Sequence, residues 1–296
     1  MQGGSTVRAI RASSKSYRVR AITRDASRLN VKELLELGCE VIEVQIFTRA
    51  GAEKAFEGAN VVFGMTLANL ISKEKQYRDG AVLVDAARAM NVQTFLWSGG
   101  FQLGKMSKEN IVFPLIDVKA EIANYAHSIG LNIVSIVPGQ FISSFFTTYA
   151  PQKREDGSFE FWFPLYSETK IPLLDVAEDF GRFVISALEQ GRVEPVLASA
   201  EYLSPLKWAD RFSKVSGQKI CFKQAQDEEY AAALDELKIL GLSEALLNMM
   251  TAYREVGYYA QQDPSESQSI LKQPARSLEK FLEAHKVELS KALETT

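Results

Sequence analysis

The feature that most limits what this chain can fold into is an alternation of short apolar strands with amphipathic helices between residues 17 and 137. Residues 17–23 are rich in β-branched and aromatic side chains, which predicts a strand. Residues 59–65 and 132–137 are apolar almost throughout, as expected of strands covered on both faces. Strands that alternate with helices at this spacing favour a parallel sheet with right-handed crossovers. The sequence therefore predicts an α/β fold with a doubly wound parallel sheet.

The other elements of the first half follow from the same two patterns. A helix is predicted where apolar residues recur along one face, and a strand where they alternate or run on without a break. The predicted helices cover residues 5–12, 30–37, 51–56, 75–90 and 116–129, and the further predicted strands cover residues 39–44 and 92–97.

Composition narrows the class of protein. The chain has 296 residues, a net charge of -3 and no cluster of basic residues, which argues against direct nucleic-acid binding over its whole surface. Its two cysteines are too far apart for a metal-ligand pair and too few for a disulfide framework. It lacks the long apolar run of a membrane span. We expect a cytoplasmic protein, which can also be nuclear, without a metal or a membrane contact.

The N-terminal stretch has the parts of a dinucleotide-binding unit. Gly3 and Gly4 open a predicted helix that Ser5 or Thr6 can cap, and the strand that follows ends at Arg24. In a Rossmann unit a glycine-rich turn places a pyrophosphate at a helix N-terminus, and the next strand ends beside the adenosine ribose. An arginine there can pair with the 2′-phosphate of NADP, so the sequence favours NADP. The alternative is that the glycines bind nothing and Arg24 is a solvated strand end.

Several motifs in a fixed order resemble the NmrA-like family, which are atypical members of the short-chain dehydrogenase/reductase superfamily. The resemblance runs over nearly the whole chain and implies a Rossmann-like domain. On this match Met1 lies inside the family's GxxGxxG loop, so we expect the first strand and the first two glycines of that loop to be absent from this chain. The motifs are Gln2-Gly3-Gly4-Ser5, residues 19–24, Glu57-Gly58-Ala59, Ser98-Gly99, Lys119, residues 138–141, residues 253–259 and residues 277–282.

The resemblance also implies a set of cofactor contacts. It assigns each region of the dinucleotide to a segment of the chain. Gln2 and Gly3 would contact the pyrophosphate, Arg24 and Arg28 the 2′-phosphate, Gln45 and Ile46 the adenine, Thr66 the pyrophosphate and ribose, Arg78 the phosphates, Lys119 the nicotinamide ribose, and Gln140, Phe141, Ile142 and Ser143 the nicotinamide end.

The catalytic pattern of the superfamily is incomplete in this chain. A short-chain dehydrogenase needs a proton-donating tyrosine four residues before its lysine, which places both on one helix face. Lys119 is present, but Leu115 occupies the tyrosine position. Tyr125 is too far along the helix to replace it, and Tyr149 or Tyr166 would need unusual folding of the second half. Lys119 is therefore a catalytic candidate without a partner, and the alternative is a solvated helix lysine.

The resemblance implies an NADP(H)-binding protein, with NAD as a second ligand, that senses the dinucleotide and acts through a regulatory protein partner such as a transcription factor. The rival interpretation is an NADPH-dependent oxidoreductase of a small carbonyl or quinone-like substrate. A third is a chain that, lacking the first strand, binds no cofactor. Ser98 can orient a substrate or simply end a strand, and His127 and His285 lie near predicted helix C-termini, where a cation suits the helix dipole.

The second half differs in character. Aromatic residues are dense between positions 143 and 166, and we interpret them as core rather than as a stacking surface. We expect a first domain at residues 1–143 and a smaller, mostly helical substrate or partner domain at 144–296, with residues 169–200 packing back on the first. Further helices are predicted at residues 177–188, 206–216, 227–234, 244–259 and 277–291, and a strand at 195–200.

Overall fold

The structure is a computed structural model, and it describes residues 1–68, 72–106 and 114–294. The chain divides into two compact units. The domain boundary expected at residues 143 and 144 stays a prediction. Unit 1 consists of Met1–Phe101, Leu115–Val137 and Phe180–Val196, and unit 2 of Gln102–Pro114, Pro138–Asp179 and Leu197–Thr296.

Helices and strands alternate through the first half of the chain, as predicted. Within the described ranges, no helix is both long and apolar enough to cross a membrane. The α-helices are α1 (Gln2–Arg11), α2 (Leu29–Glu36), α3 (Arg49–Phe56), α4 (Lys73–Ala89), α5 (Leu103–Met106), α6 (Pro114–Ser128), α7 (Phe180–Glu189), α8 (Pro205–Ser216), α9 (Asp227–Asp235), α10 (Leu242–Glu255), α11 (Ser265–Ser269), α12 (Leu278–Ala284) and α13 (Lys286–Glu294). The strands are β1 (Arg20–Thr23), β2 (Glu40–Glu43), β3 (Val61–Gly64), β4 (Thr94–Ser98), β5 (Ile133–Pro138), β6 (Gln140–Phe141), β7 (Gln152–Lys153), β8 (Phe159–Phe163), β9 (Ile171–Leu174), β10 (Val196–Ala198), β11 (Glu201–Leu203) and β12 (Ile220–Gln224).

The strands of unit 1 pair in parallel. β1 and β2 form a two-stranded sheet with Ala21 opposite Val41. β3, β4 and β5 are successive neighbours in a second sheet, in which Phe63 lies opposite Leu96. Parallel strands joined by crossover helices bear out the predicted α/β class.

The core of unit 1 lies between the β3–β5 sheet and the helices that follow its strands. Phe95 and Trp97 of β4 are fully buried and stack with their ring centroids 6.0 Å apart. Helices α4 and α6 cover this face and pack closely against each other. A Cβ added at Gly80 of α4 would lie only 2.3 Å from Cδ1 of Ile122 in α6, so no larger residue fits there without a shift. The glycine therefore permits the contact that fixes α6 against the sheet.

Helix α1 begins earlier than predicted. Its first residue is Gln2 and its N-cap is Met1, so the prediction that Ser5 or Thr6 caps it is wrong. Both hydroxyls have other partners: Ser5 Oγ accepts a hydrogen bond from the Gly181 backbone N–H at 2.9 Å, and Thr6 Oγ1 donates to the Gln2 carbonyl at 2.9 Å. Packing against α7 thus uses the Ser5 hydroxyl, and the Thr6 hydroxyl bonds within α1, so neither is left to cap the helix.

Unit 2 combines two small sheets with helices. One sheet has the order β11-β9-β6 and the other β12-β8-β7. The aromatic residues of the segment 143–166 form its core, as we interpreted them: Phe145 and Phe161 are fully buried, and the Phe145 ring lies 5.0 Å from that of Trp208. Strands β6, β7, β8, β9, β11 and β12 are absent from the sequence prediction, because strands this short are defined by pairing with other segments.

Two helices predicted in unit 2 are not continuous over their predicted ranges. The helix expected at 277–291 is divided at His285 into α12 and α13. The His285 ring stacks on Phe281 at 4.2 Å and its Nδ1 lies 2.8 Å from the Phe281 carbonyl oxygen, which holds the chain in a non-helical conformation. The helix expected at 244–259 ends at Glu255 because Gly257 adopts a positive φ of 86°.

Candidate functional site

The site predicted at the carboxyl end of the sheet centres on the ends of two neighbouring strands. Ser98 is the last residue of β4, and Thr66 follows the end of β3. β3 and β4 are parallel and paired, so their carboxyl ends lie at the same edge. Both Thr66 and Ser98 are 2% exposed. In open α/β sheets, ligands bind at this edge.

Lys119 of α6 connects the two strand ends. Its Nζ donates to the Thr66 carbonyl oxygen at 3.0 Å and to the Ser98 carbonyl oxygen at 3.4 Å. The Lys119 backbone carbonyl accepts a hydrogen bond from Nε1 of Trp97 at 2.9 Å, and Nζ lies 5.6 Å from the centre of the Trp97 ring. The side chain is therefore held inside unit 1, and the alternative of a solvated helix lysine is wrong.

Burial changes the acid–base chemistry of this lysine. Loss of water around the ammonium lowers the pKa of Lys119 from 10.5 to about 8. At neutral pH the group remains mostly protonated and donates to the two carbonyl oxygens. Its pKa is nevertheless close enough to neutrality for it to give up or accept a proton, as a general acid or base must.

The N-terminus of α1 meets the same group of residues. The Gln2 side chain is buried, and its Oε1 accepts a hydrogen bond from Ser98 Oγ at 3.2 Å. The first intrahelical bond runs from the Ser5 N–H to the Met1 carbonyl, so helix geometry provides no acceptor for the N–H groups of Gln2, Gly3 and Gly4. Gly3 is exposed, and an added Cβ would meet no atom within 4 Å. This helix end has the donors and the open space that an anion requires.

Gln76 belongs to this group and is absent from the sequence prediction. Its side chain is 1% exposed, and Nε2 donates to Thr66 Oγ1 at 3.4 Å. The signal in the sequence was a polar residue on the apolar stripe of α4, in helical spacing with Gly80, Leu83 and Val84. Gln76, Gln2, Thr66, Ser98 and Lys119 thus form one polar cluster, which we call the strand-end cluster.

The residues assigned to the 2′-phosphate and adenine follow the ends of β1 and β2. These strands pair with Thr23 opposite Glu43, so their carboxyl ends lie side by side. Arg24 is exposed at the bend after β1. Arg28 is also exposed and its Nε lies 3.7 Å from Asp25 Oδ2. The two guanidinium groups therefore face solvent near one sheet edge.

The next three assigned residues differ in their exposure to solvent. Gln45 is exposed, and its backbone carbonyl accepts from the Thr48 hydroxyl at 2.8 Å. Ile46 is half-buried and packs against the core of unit 1. Arg78 is exposed on α4, two residues after Gln76. Of these, Gln45 and Arg78 have side chains exposed to a ligand from solvent.

The four residues assigned to the nicotinamide end lie in unit 2. Gln140 and Phe141 form β6, and Gln140 Nε2 donates to Ser144 Oγ at 2.8 Å. Ile142 is fully buried and Ser143 is half-buried, in the 3-10 turn Ile142–Phe146. Their role at a nicotinamide stays a prediction.

No tyrosine hydroxyl of unit 1 replaces the missing proton donor among the described contacts of Lys119. Leu115 lies in α6, four residues before the lysine. Tyr125 donates to Asp85 Oδ1 at 2.6 Å, and this hydrogen bond, with burial, raises the pKa of Tyr125 to about 12. Such a phenol is a poorer acid than an ordinary tyrosine.

Comparison with known proteins bears out the resemblance. A model of the NmrA-like family matches residues 1–285 of this chain. The NmrA-like family domain-containing oxidoreductase ptmS of Penicillium ochrochloron is 29% identical over an alignment of 245 residues, and the match covers 75% of this chain and 72% of that protein.

Solved structures share the fold. A crystal structure of NmrA, a negative transcriptional regulator in complex with NADP, superposes with a TM-score of 0.82 at 19% identity and covers 98% of this chain and 94% of that chain. An NADPH-dependent quinone oxidoreductase of Escherichia coli in complex with NADPH gives a TM-score of 0.78 at 15% identity, over 97% of this chain and 96% of that one. At these identities the likeness is one of fold, and it confirms the doubly wound α/β class.

Proposed function

The chain belongs to the NmrA-like family, and we propose that it binds NADP(H), in preference to NAD(H), at the carboxyl edge of the unit 1 sheets. The observation that carries this proposal is the strand-end cluster, in which Lys119 is fixed on the Thr66 and Ser98 carbonyls beside the N-terminus of α1. Buried polar side chains converge there at the edge where α/β sheets bind ligands.

The residues present suit each part of the dinucleotide. The N–H groups at Gln2 and Gly3 suit a pyrophosphate, because a helix N-terminus attracts anions. Arg24 and Arg28 suit a 2′-phosphate, since a guanidinium forms paired hydrogen bonds with phosphate oxygens. Lys119 and Thr66 suit the ribose hydroxyls, which need donors and acceptors in a buried setting. Gln45, Ile46, Arg78 and Gln140 to Ser143 would complete the contacts.

We further propose that the bound dinucleotide regulates the chain's interaction with a protein partner. The support is the absence of a proton-donating tyrosine beside Lys119 together with the regulatory role of NmrA, a protein of the same fold. In this proposal Lys119 binds and orients the cofactor, and the redox state of the cofactor pool is the signal.

Titration calorimetry with NADPH, NADP, NADH and NAD tests the cofactor proposal. We expect the two phosphorylated cofactors to bind at least tenfold more tightly than their counterparts. Lys119→Met should weaken all four by a similar factor, because the lysine is assigned to the nicotinamide ribose, which all four cofactors share. Equal binding of NADPH and NADH by the wild-type chain would contradict the preference, and no binding of either would overturn the proposal.

A second candidate is an NADPH-dependent oxidoreductase of a small carbonyl or quinone-like substrate. It is favoured by the oxidoreductase ptmS among the relatives and by the lowered pKa of Lys119. NADPH, when bound, would supply a hydride. The protein would have to deliver a proton from solvent or through Lys119, whose ammonium is the buried acid at this edge.

Substrate-dependent oxidation of NADPH distinguishes the two candidates. On the regulatory proposal we expect no turnover of ordinary carbonyl substrates by the wild type, because general acid catalysis commonly contributes about 10²- to 10⁴-fold. Leu115→Tyr places a phenol one helical turn from Lys119 and should raise any residual rate, whereas Leu115→Phe, the matched control, should not. Robust wild-type turnover that is lost in Lys119→Met would favour the oxidoreductase.

A further inference from the structure

A second surface of the chain carries a feature that the dinucleotide site does not explain. Leu237, Ile239 and Leu240, which join α9 to α10, are 59%, 53% and 74% exposed. Among the described residues, the other strongly exposed large apolar side chains are scattered singly along the sequence. Isolated exposed apolar residues are ordinary, but a concentration of them marks an interaction site. We call these three residues the apolar patch.

The backbone holds the patch in this outward orientation. The Leu237 N–H donates to the Leu234 carbonyl at 3.1 Å, and the Leu242 N–H to the Ile239 carbonyl at 3.1 Å. Lys238 adopts a positive φ of 55° and Gly241 one of 76°. Lysine rarely adopts this conformation, so the turn is set by its surroundings. The apolar side chains are thus presented on a defined turn of unit 2.

The surroundings of the patch are acidic. Residues 227–244 contain six acidic residues and one basic residue, Lys238. Asp227 pairs with Arg254 at 2.8 Å. The remaining acidic side chains are exposed, and none of them forms an ion pair within the part of the chain that the structure describes: Glu228, Glu229, Asp235, Glu236 and Glu244.

Helix α9 extends the surface beside the patch. Tyr230 is buried against Trp162, so the helix turns this side inward. Its opposite side carries exposed Ala232, with Glu228, Glu229, Asp235 and Glu236 around it at helical spacing. The small side chain of Ala232 leaves room for a second helix, and the flanking carboxylates attract its cations. The exposed surface therefore combines an apolar centre with an acidic rim.

We propose that the apolar patch and the outer side of α9 dock a basic amphipathic helix of a partner protein. The apolar centre fits leucine-type side chains at helical spacing, and the acidic rim fits lysine or arginine on the flanks. Nucleic acid and anionic membranes carry the same sign of charge as the rim and are repelled. A symmetric dimer through this surface would place two acidic rims together. The inference extends the partner role in the proposed function, and it does not use the dinucleotide site.

The probe is a fluorescein-labelled synthetic helix of 14 residues, about four turns, with leucines on one face and lysines elsewhere; a scrambled peptide of equal composition is its control. Fluorescence anisotropy should show saturable binding of the amphipathic peptide, weakened by salt because of the acidic rim. The triple variant Leu237→Ser, Ile239→Ser, Leu240→Ser and the double variant Asp235→Lys, Glu236→Lys should each weaken it at least tenfold.

Matched variants on unit 2 control for general effects. Val287→Ser changes an exposed apolar residue of α13, and Glu283→Lys with Glu288→Lys makes the same change in charge as the double variant. Neither should alter peptide affinity more than about twofold. Equal binding of the scrambled peptide, or unchanged binding by the triple variant, would overturn the proposal. So would sedimentation showing a wild-type dimer that the triple variant abolishes. NADPH titration of every variant reports separately on the proposed cofactor site.

Discussion

At the scale of single residues, Lys119 and Arg24 lie in opposite environments, one buried and one exposed. Lys119 is buried and held by backbone carbonyls, so its chemistry depends on the surrounding packing. Arg24 is exposed after a strand end, and its proposed role depends on the ligand alone. The two residues therefore call for different measurements.

Arg24→Ala should weaken NADPH binding far more than NADH binding, since only NADPH has a 2′-phosphate. Hydrogen bonds to charged groups contribute about 1.5 to 3 kcal/mol, which corresponds to roughly a tenfold to hundredfold loss of affinity. Arg18→Ala is the control, because Arg18 is an exposed arginine that precedes the same strand. Calorimetry that finds both cofactors weakened alike would show that Arg24 is structural.

Lys119→Met should change how stability depends on pH. The folded chain holds the pKa of Lys119 near 8, below its ordinary 10.5, so the unfolded chain binds more protons between these values. The free energy of unfolding of the wild type should therefore rise with pH across this range relative to the variant, by at most about 1.4 kcal/mol per pH unit, and be level below it. Urea unfolding at several pH values measures the difference. A constant difference would show that burial does not shift this pKa.

At the scale of secondary-structure elements, the crossing of α1 and α7 positions the proposed phosphate site. A Cβ added at Gly181 would lie 2.1 Å from the Ser5 carbonyl oxygen and 2.6 Å from the Thr6 nitrogen. Because these atoms are backbone, a rotamer change cannot relieve the contact. The small residue of α7 thus allows α1 to lie where Gln2 reaches Ser98.

Gly181→Ala should force α1 away from α7. Overpacking in a core commonly costs about 1 to 3 kcal/mol of stability, and the displaced helix should also weaken NADPH binding. Gly4→Ala is the matched control, because its added Cβ would meet only the Arg8 side chain at 3.5 Å. It should be neutral or stabilising, since alanine is the better helix former. Thermal unfolding of both variants and NADPH titration of Gly181→Ala measure the two effects, and equal stability of the two variants would contradict the close-crossing argument.

At the scale of the whole molecule, the predicted cofactor contacts are distributed over both units. Lys119 and Thr66 belong to unit 1, whereas Gln140 and Ser143 belong to unit 2. Binding to the native state alone stabilises the elements that the ligand touches, so each assignment can be tested within its own unit.

NADPH should therefore slow amide hydrogen exchange in both units. We expect protection of β4 and α6 in unit 1 and of residues 140–143 in unit 2, at a cofactor concentration well above Kd. Exchange in α13, which carries no predicted contact, is the internal control. Protection confined to unit 1 would contradict the assignment of residues 140–143 to the nicotinamide end while leaving the strand-end cluster intact.

The sequence alone determined the class of fold and the places where strands end. Periodicity of apolar residues is a local property, so the alternation of strands and helices through β5 could be predicted from the sequence. Lys119 and Thr66 were identified through motif order along the chain. The family model confirms the resemblance that supplied them, and their roles remain to be measured.

Only the tertiary structure decided what these residues touch. The start of α1 at Gln2, the burial of Gln76 and the division of the last predicted helix at His285 each depend on a partner far along the chain or on ring packing. The short strands of unit 2 likewise exist because distant segments satisfy their backbone groups. Local sequence sets the secondary-structure preference of a segment. Hydrogen bonding and close packing between remote segments decide whether the folded chain adopts that structure.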